Sequence, residues 1–188
     1  MYPFFIGARN NMNVVNLAKG GATITRVENG TDQMFSVDVY KTIPLDADYL
    51  TLKFGINDKA YGVSVGSIDD STDSTFYGAW NIVMEYIVTN LPYCKVGIII
   101  SNGITGDNAE EYAEATRNIA RKWGVPYLDE TGDENVSLLH RTLRDDVVCD
   151  TARNARMSAF RISDSDSHPN AKAHEFESTI VEDFLRRL

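Results

Sequence analysis

Apolar residues gather with little alternation in three short runs, Asn13 to Leu17, Tyr49 to Phe54 and Val96 to Ile100, with a weaker fourth at Val125 to Leu128. Continuous β-branched runs are what a parallel sheet covered on both faces requires, whereas a half-solvated strand alternates. Between the runs the period changes. Phe76, Trp80, Val83, Met84, Ile87 and Leu91 recur at helical spacing, with Asp73 or Ser74 able to cap the start and Pro92 ending the run. A second stripe, Tyr112, Ala113, Thr116, Ile119, Ala120 and Trp123, opens with Asp107 and Glu110 as a capping box and closes at Gly124, just before Pro126. Phe176, Ile180, Phe184 and Leu188 make a third stripe. Alternating strands and helices predict an α/β domain, doubly wound on a parallel sheet with right-handed crossovers. Ligands of such folds collect at the C-terminal ends of the strands. Residues 135–163 read as an insertion in which Leu138, Leu139 and Leu143 suggest a short helix.

Length and composition narrow the picture. With 188 residues, no repeats and no Pro/Ser-rich linker, residues 1–188 are expected to form a single domain. A net charge of -9 without clustered Lys or Arg excludes nucleic acid as a partner and argues against an anionic membrane surface. No apolar run approaches the length of a membrane span. The start, Met1-Tyr2-Pro3-Phe4-Phe5, lacks the features of a signal peptide, so the cytoplasm is the default expectation. Cys94 and Cys149 are expected to be free thiols.

Gly55-Ile56-Asn57-Asp58 follows directly on the run Tyr49 to Phe54. A glycine there lets the chain turn sharply and leaves room for a ligand. The amide of Asn57 can point into the crevice as an oxyanion donor, or the tetrapeptide is a plain turn. Lys19-Gly20-Gly21-Ala22-Thr23 follows the first run in the same way and offers either a backbone N–H or a tight turn. His168 stands apart from His140 and His174, which read as surface or packing residues. It lies in Asp164-Ser165-Asp166-Ser167-His168-Pro169-Asn170, where Pro169 fixes the backbone and Asn170 can cap the following helix. An imidazole so placed can take a proton from a hydroxyl and return it to a leaving group. Gly62-Val63-Ser64-Val65-Gly66 matches G-x-S-x-G, but that elbow needs a strand before the serine and a helix after it. Neither is predicted, and residues 59–74 read as a flexible substrate-side loop. No zinc spacing or phosphate loop is present, and Asp69, Asp70 and Asp73 read as a solvated loop.

In order, these pieces resemble the SGNH (GDSL-type) hydrolase family. The resemblance implies a flavodoxin-like three-layer α/β/α sandwich that hydrolyses esters of lipids, acetylated sugars or small acyl substrates. Residues Asn16 to Thr23 look like the family's second block, with Gly21 matching its oxyanion glycine. Gly55, Asn57 and Asp58 match the third, with Asn57 in the oxyanion role, and His168 matches the catalytic histidine of the fifth. The acid usually found three residues before that histidine is replaced by Ser165, so Asp166 or Asp164 is expected to orient the imidazole, or a serine–histidine dyad suffices. The Gly-Asp-Ser block that supplies the nucleophile has no counterpart, so no nucleophile is assigned in this chain. Residues Tyr2 to Asn11 look like the helix that follows that block's strand. The expectation is therefore a truncated or misassigned start, two chains that complete each other as a homodimer, or a sheet with one strand fewer. The resemblance implies a small-molecule ester as partner and no metal or cofactor, because proton transfer and oxyanion stabilisation carry the chemistry. A non-catalytic module that keeps the pocket is the alternative.

Overall fold

The computed structural model describes residues 1–28, 34–101, 107–131, 155 and 158–188. In chain order its elements are α1 (Tyr2–Asn10), β1 (Tyr49–Leu52), α2 (Ile56–Ala60), α3 (Phe76–Asn90), β2 (Lys95–Ile100), α4 (Ala109–Trp123), β3 (Tyr127–Asp129), β4 (Arg161–Ser163), β5 (Asp166–Pro169) and α5 (Ala171–Arg186). The chain forms two compact units, one of residues 17–129 with Leu188, the other of residues 1–16 and 130–187.

The unit of residues 17–129 is mixed α/β, built on a parallel sheet in the order β1-β2-β3. Tyr49 pairs with Lys95 and Leu52 with Ile98, while Ile98 pairs with Tyr127 and Ile100 with Asp129. Parallel neighbours need a crossover between them, which α3 and α4 provide. The strands expected from the runs at 49–54, 96–100 and 125–128 are thus present: β1 ends two residues early, β2 starts one residue earlier, and β3 is shifted to 127–129. In α3, Phe76, Trp80, Val83, Met84 and Ile87 are fully buried, as their spacing predicted. Trp80 meets Phe54 and Phe76 edge-on, at centroid distances of 5.8 and 6.3 Å, and Phe54 also packs on Phe35 at 4.9 Å. These contacts fix the chain just past β1, one residue before Gly55.

Several expectations change at the ends of elements. Thr75, not Asp73 or Ser74, caps α3, its side chain accepting from the Gly78 N–H. Asp73 instead pairs with Arg26 at 2.7 Å. The Asp107–Glu110 capping box does not form: Asn108 takes the cap position in the left-handed region, at φ 61°, without a side-chain cap bond. Gly124 closes α4 at φ 65°, as expected. The segment Asn13 to Leu17 joins no strand ladder among the described residues, and Val15 is 63 % exposed. A β-branched run becomes a strand only beside a neighbouring edge, which composition alone does not supply. Residues 59–74 are not loose. Asn81 donates to the Ile68 and Asp70 carbonyls at 2.9 and 2.8 Å, Asp70 accepts from Thr75 at 2.8 Å, and Phe76 and Tyr77 donate to Ser64 and Val65.

In the second unit α1 packs against α5, and β4 pairs antiparallel with β5 around an irregularity between Arg161 and Ser163. Glu182 ties the helices together. Its carboxylate accepts from Arg9 Nε (2.8 Å), Asn10 Nδ2 (2.9 Å) and Arg186 Nη2 (2.7 Å). The buried face of α5 is Ala173, Glu177, Ser178, Val181 and Phe184; of the predicted stripe, Phe184 is buried, Ile180 is half-buried and Phe176 is exposed. Buried polar residues on that face hide it from a reading by hydrophobicity. His140, Cys149 and Leu138, Leu139 and Leu143 lie outside the described residues.

Candidate functional site

Gly21 and Asn57 belong to the sheet-bearing unit, at the end of β1. Gly55 adopts φ 114°, a conformation open to glycine alone at low cost, and it turns the chain from β1 into the short helix α2. That turn swings Asn57 and Asp58 toward the segment after Gly21. Asn57 Nδ2 donates to the Ala22 carbonyl at 2.8 Å. One N–H of the amide is thereby spent on orientation, and the amide carries a second. Gly21 itself sits at φ 78°, in the left-handed region. The structure thus brings Gly21 and Asn57 together through the intervening Ala22.

Asp58 is the residue to which the sequence assigned no role. It is fully buried, and its Oδ1 accepts from the backbone N–H groups of Ile24 (3.1 Å) and Thr25 (3.0 Å) and from the Thr25 hydroxyl (2.6 Å). Burial pushes its carboxyl above the ordinary aspartate range, and the hydrogen bonds from Thr25 and Ile24 oppose that rise. The available signal was the Asp at the end of Gly-x-Asn-Asp; its acceptors' partners, all backbone or hydroxyl groups of an unremarkable apolar and threonine stretch, gave no complementary signal.

His168 and Asp166 lie in the other unit, both on β5. Their Nδ1 and Oδ1 atoms are 2.6 Å apart, and the same oxygen accepts from the His168 backbone N–H at 3.0 Å. First that backbone N–H and then the imidazole hold the Asp166 carboxyl below the usual range. With Nδ1 engaged, Nε2 is the nitrogen left to exchange protons with a hydroxyl. The other candidate acid, Asp164, is taken by Arg161, and Ser165 faces Ser163 at 3.2 Å. Asn170 holds the turn from below: its Oδ1 caps α5 at Ala173, and its Nδ2 donates to the carbonyls of Ala159 and Arg161, each at 3.0 Å. The imidazole side chain is 83 % exposed.

Ser64 lacks the setting of a nucleophile elbow. The short helix α2, not a strand, precedes it, and a loop of fifteen residues, 61–75, separates α2 from α3. His174 is mostly covered and lies 3.4 Å from Glu177. Of the aspartates in the 69–73 loop, Asp70 accepts from the Ser67 N–H and the Thr75 hydroxyl. No group of three or more metal-ligating side chains stands together among the described residues. No helix among them is long and apolar enough to cross a membrane.

Comparison with known proteins adds the family. The chain is similar in structure to a protein from Lactobacillus plantarum, with 23% identity, a TM-score of 0.75, and coverage of 99% of this chain and 87% of that one. A candidate GDSL-like lipase from Bacteroides ovatus shares 16% identity at a TM-score of 0.68, over 100% of this chain and 79% of its own. A candidate lipase from Chitinophaga pinensis shares 17% at a TM-score of 0.70, over 99% and 88%. At these identities the likeness establishes the fold alone. No curated protein matches the sequence. The model of the GDSL-like lipase/acylhydrolase family matches residues 2–176, through both compact units, and the chain belongs to that family.

Proposed function

We propose that this protein is a serine ester hydrolase whose base is His168, oriented by Asp166, and whose oxyanion donors are the Gly21 N–H and the Asn57 amide. The observation that carries the reading is the His168–Asp166 contact of 2.6 Å through Nδ1, which presents Nε2 as the proton-exchanging atom. Family membership supports hydrolysis as the reaction class. In the reaction, His168 Nε2 takes the proton of a serine hydroxyl as its oxygen bonds to the ester carbonyl carbon. The carbonyl oxygen becomes an oxyanion, held by Gly21 and Asn57. The C–O bond to the alcohol then breaks, and the alcohol leaves with the proton from His168. Water attacks the acyl-enzyme by the same route in reverse, releasing the acid.

The family's Gly-Asp-Ser block has no counterpart in the 188 residues. The reading assigns the nucleophile to such a block outside them, and treats residues 1–188 as one hydrolase domain, since the family match runs through both units. Substrates are small acyl, acetylated-sugar or lipid esters. A fluorophosphonate probe tests the assignment on residues 1–188 and on the product of the full natural gene. Labelling of the gene product alone, at a serine ahead of Met1, is the expected result. Labelling at Ser64 would move the nucleophile to that loop, and no labelling of either protein would replace the enzyme with a ligand-binding module. Two copies completing one sheet is the form of this reading that sedimentation analysis checks.

A further inference from the structure

We propose that Asp58 is the positioning residue of the oxyanion site, acting with Thr25 to lock Gly21 and Asn57 into one rigid donor pair. The proposal rests on the esterase reading and deepens it. Asn57 and Asp58 are consecutive and grip the same stretch of chain from its two ends. Asn57 Nδ2 donates to the carbonyl of Ala22, and Asp58 accepts from the N–H groups of Ile24 and Thr25 and from the Thr25 hydroxyl. The gripped stretch, Ala22 to Thr25, begins immediately after Gly21.

The grip is reinforced from behind. Phe35 and Ser36 donate their N–H groups to the carbonyls of Thr23 and Ile24 at 2.9 and 3.0 Å, and the Thr23 hydroxyl donates to the Thr25 carbonyl at 2.8 Å. Thr23, Ile24, Thr25 and Asp58 are all buried to 2 % exposure or less, so none of these bonds competes with bulk water. The β1 end of the clamp is equally fixed, because Phe54 packs between Phe35 and Trp80. Oxyanion donors work only if they are aimed before charge develops, and a displacement of about 1 Å in such a site costs on the order of 100-fold in rate. A carboxylate that holds one donor's loop against the turn carrying the other provides that aim. Asp58 touches no substrate; it acts through Gly21 and Asn57.

The test uses the natural gene product with a p-nitrophenyl ester as the probe. Asp58→Asn keeps the shape but turns an amide donor toward backbone N–H groups, and is expected to lower kcat by about 10- to 100-fold with KM little changed. Thr25→Val removes only the hydroxyl contact and is expected to lower kcat by about 3- to 10-fold. Thr25→Ser, which restores the hydroxyl, is expected to recover most of that loss. The Gly21 N–H and Asn57 side-chain amide resonances should shift in Asp58→Asn while those of Ile98 to Ile100 stay in place. If the wild type hydrolyses the ester and all three variants keep its kcat, the positioning role is overturned and the esterase reading stands. A loss in Thr25→Val that Thr25→Ser does not recover overturns it too. A wild type that hydrolyses nothing overturns the esterase reading and this proposal with it.

Discussion

Replacing Glu182 with glutamine should unfasten α1 from α5 and change how the protein answers acid. In the native arrangement three donors from two helices converge on one carboxylate, whose side chain is 15 % exposed. Hydrogen bonds from Asn10, Arg186 and Arg9 pull it down to about 2 from the ordinary glutamate value of 4.5. A carboxyl held that low corresponds to at most about 3 kcal/mol of stability. Arg9 and Arg186 are 39 % and 64 % exposed, so water screens both, and about 1 to 1.5 kcal/mol is the expected loss. Because the folded-state value is depressed, the contribution is complete above pH 4.5 and fades as pH falls toward 2. Urea unfolding of wild type and Glu182→Gln, followed from pH 7 down to pH 2.5, measures it. At pH 7 the variant's midpoint should fall by about 0.5 M, on a slope of roughly 2 kcal/mol per molar. The gap should close steadily below pH 4.5. Equal midpoints at pH 7, or a gap that does not narrow in acid, would refute the knot as a source of stability. The consequence reaches the site, since α5 is the helix whose N-terminal cap, Asn170, follows His168 by two residues.

Other perturbations separate the remaining parts of the account. Asn57→Ala should lower kcat for a p-nitrophenyl ester by about 100-fold or more, as loss of one oxyanion donor does, and steady-state kinetics reports it. Asp166→Asn should lower kcat by about 10- to 100-fold, well short of the roughly 10⁴-fold seen where an orienting carboxylate is buried, because this pair is exposed to water. Gly78→Ala should destabilise the fold by about 1–3 kcal/mol in a urea titration: a Cβ there would stand 2.0 Å from the Thr72 carbonyl oxygen, a backbone atom that must shift to admit it.

Three of the four apolar runs and the two crossover stripes were legible because β1 to β3 each found a neighbouring strand and α3 and α4 a sheet to cover, whereas the run Asn13 to Leu17 joins no ladder among the described residues. The third stripe held at Phe184 and failed at Phe176, because Glu177 and Ser178 are buried on α5 while Phe176 is not, and hydrophobicity cannot see a buried polar residue. Caps shifted for a related reason. Asp73 and Asp107 have the right chemistry for an N-cap, but Asp73 is engaged by Arg26 and Thr75 takes its place. The loop at 59–74 looked flexible from its polarity, yet its carbonyls are held by Asn81 and Lys122, and bonds to carbonyls leave no trace in composition. Among the candidate site residues, the Asn170 cap and the glycine turn at Gly55 were readable, since each depends on a residue type with few substitutes. Asp58 was not: its partners are two main-chain N–H groups and a threonine hydroxyl, and every segment carries such groups.

The central claim is that His168 exchanges the proton in ester hydrolysis. Steady-state hydrolysis of p-nitrophenyl acetate by the natural gene product and its His168→Ala variant, at equal concentration and pH 7.5, tests it most directly. Loss of a general base should lower kcat by about 100- to 10,000-fold while the variant keeps the wild-type unfolding midpoint. A folded His168→Ala variant that hydrolyses the ester at the wild-type rate would contradict the account.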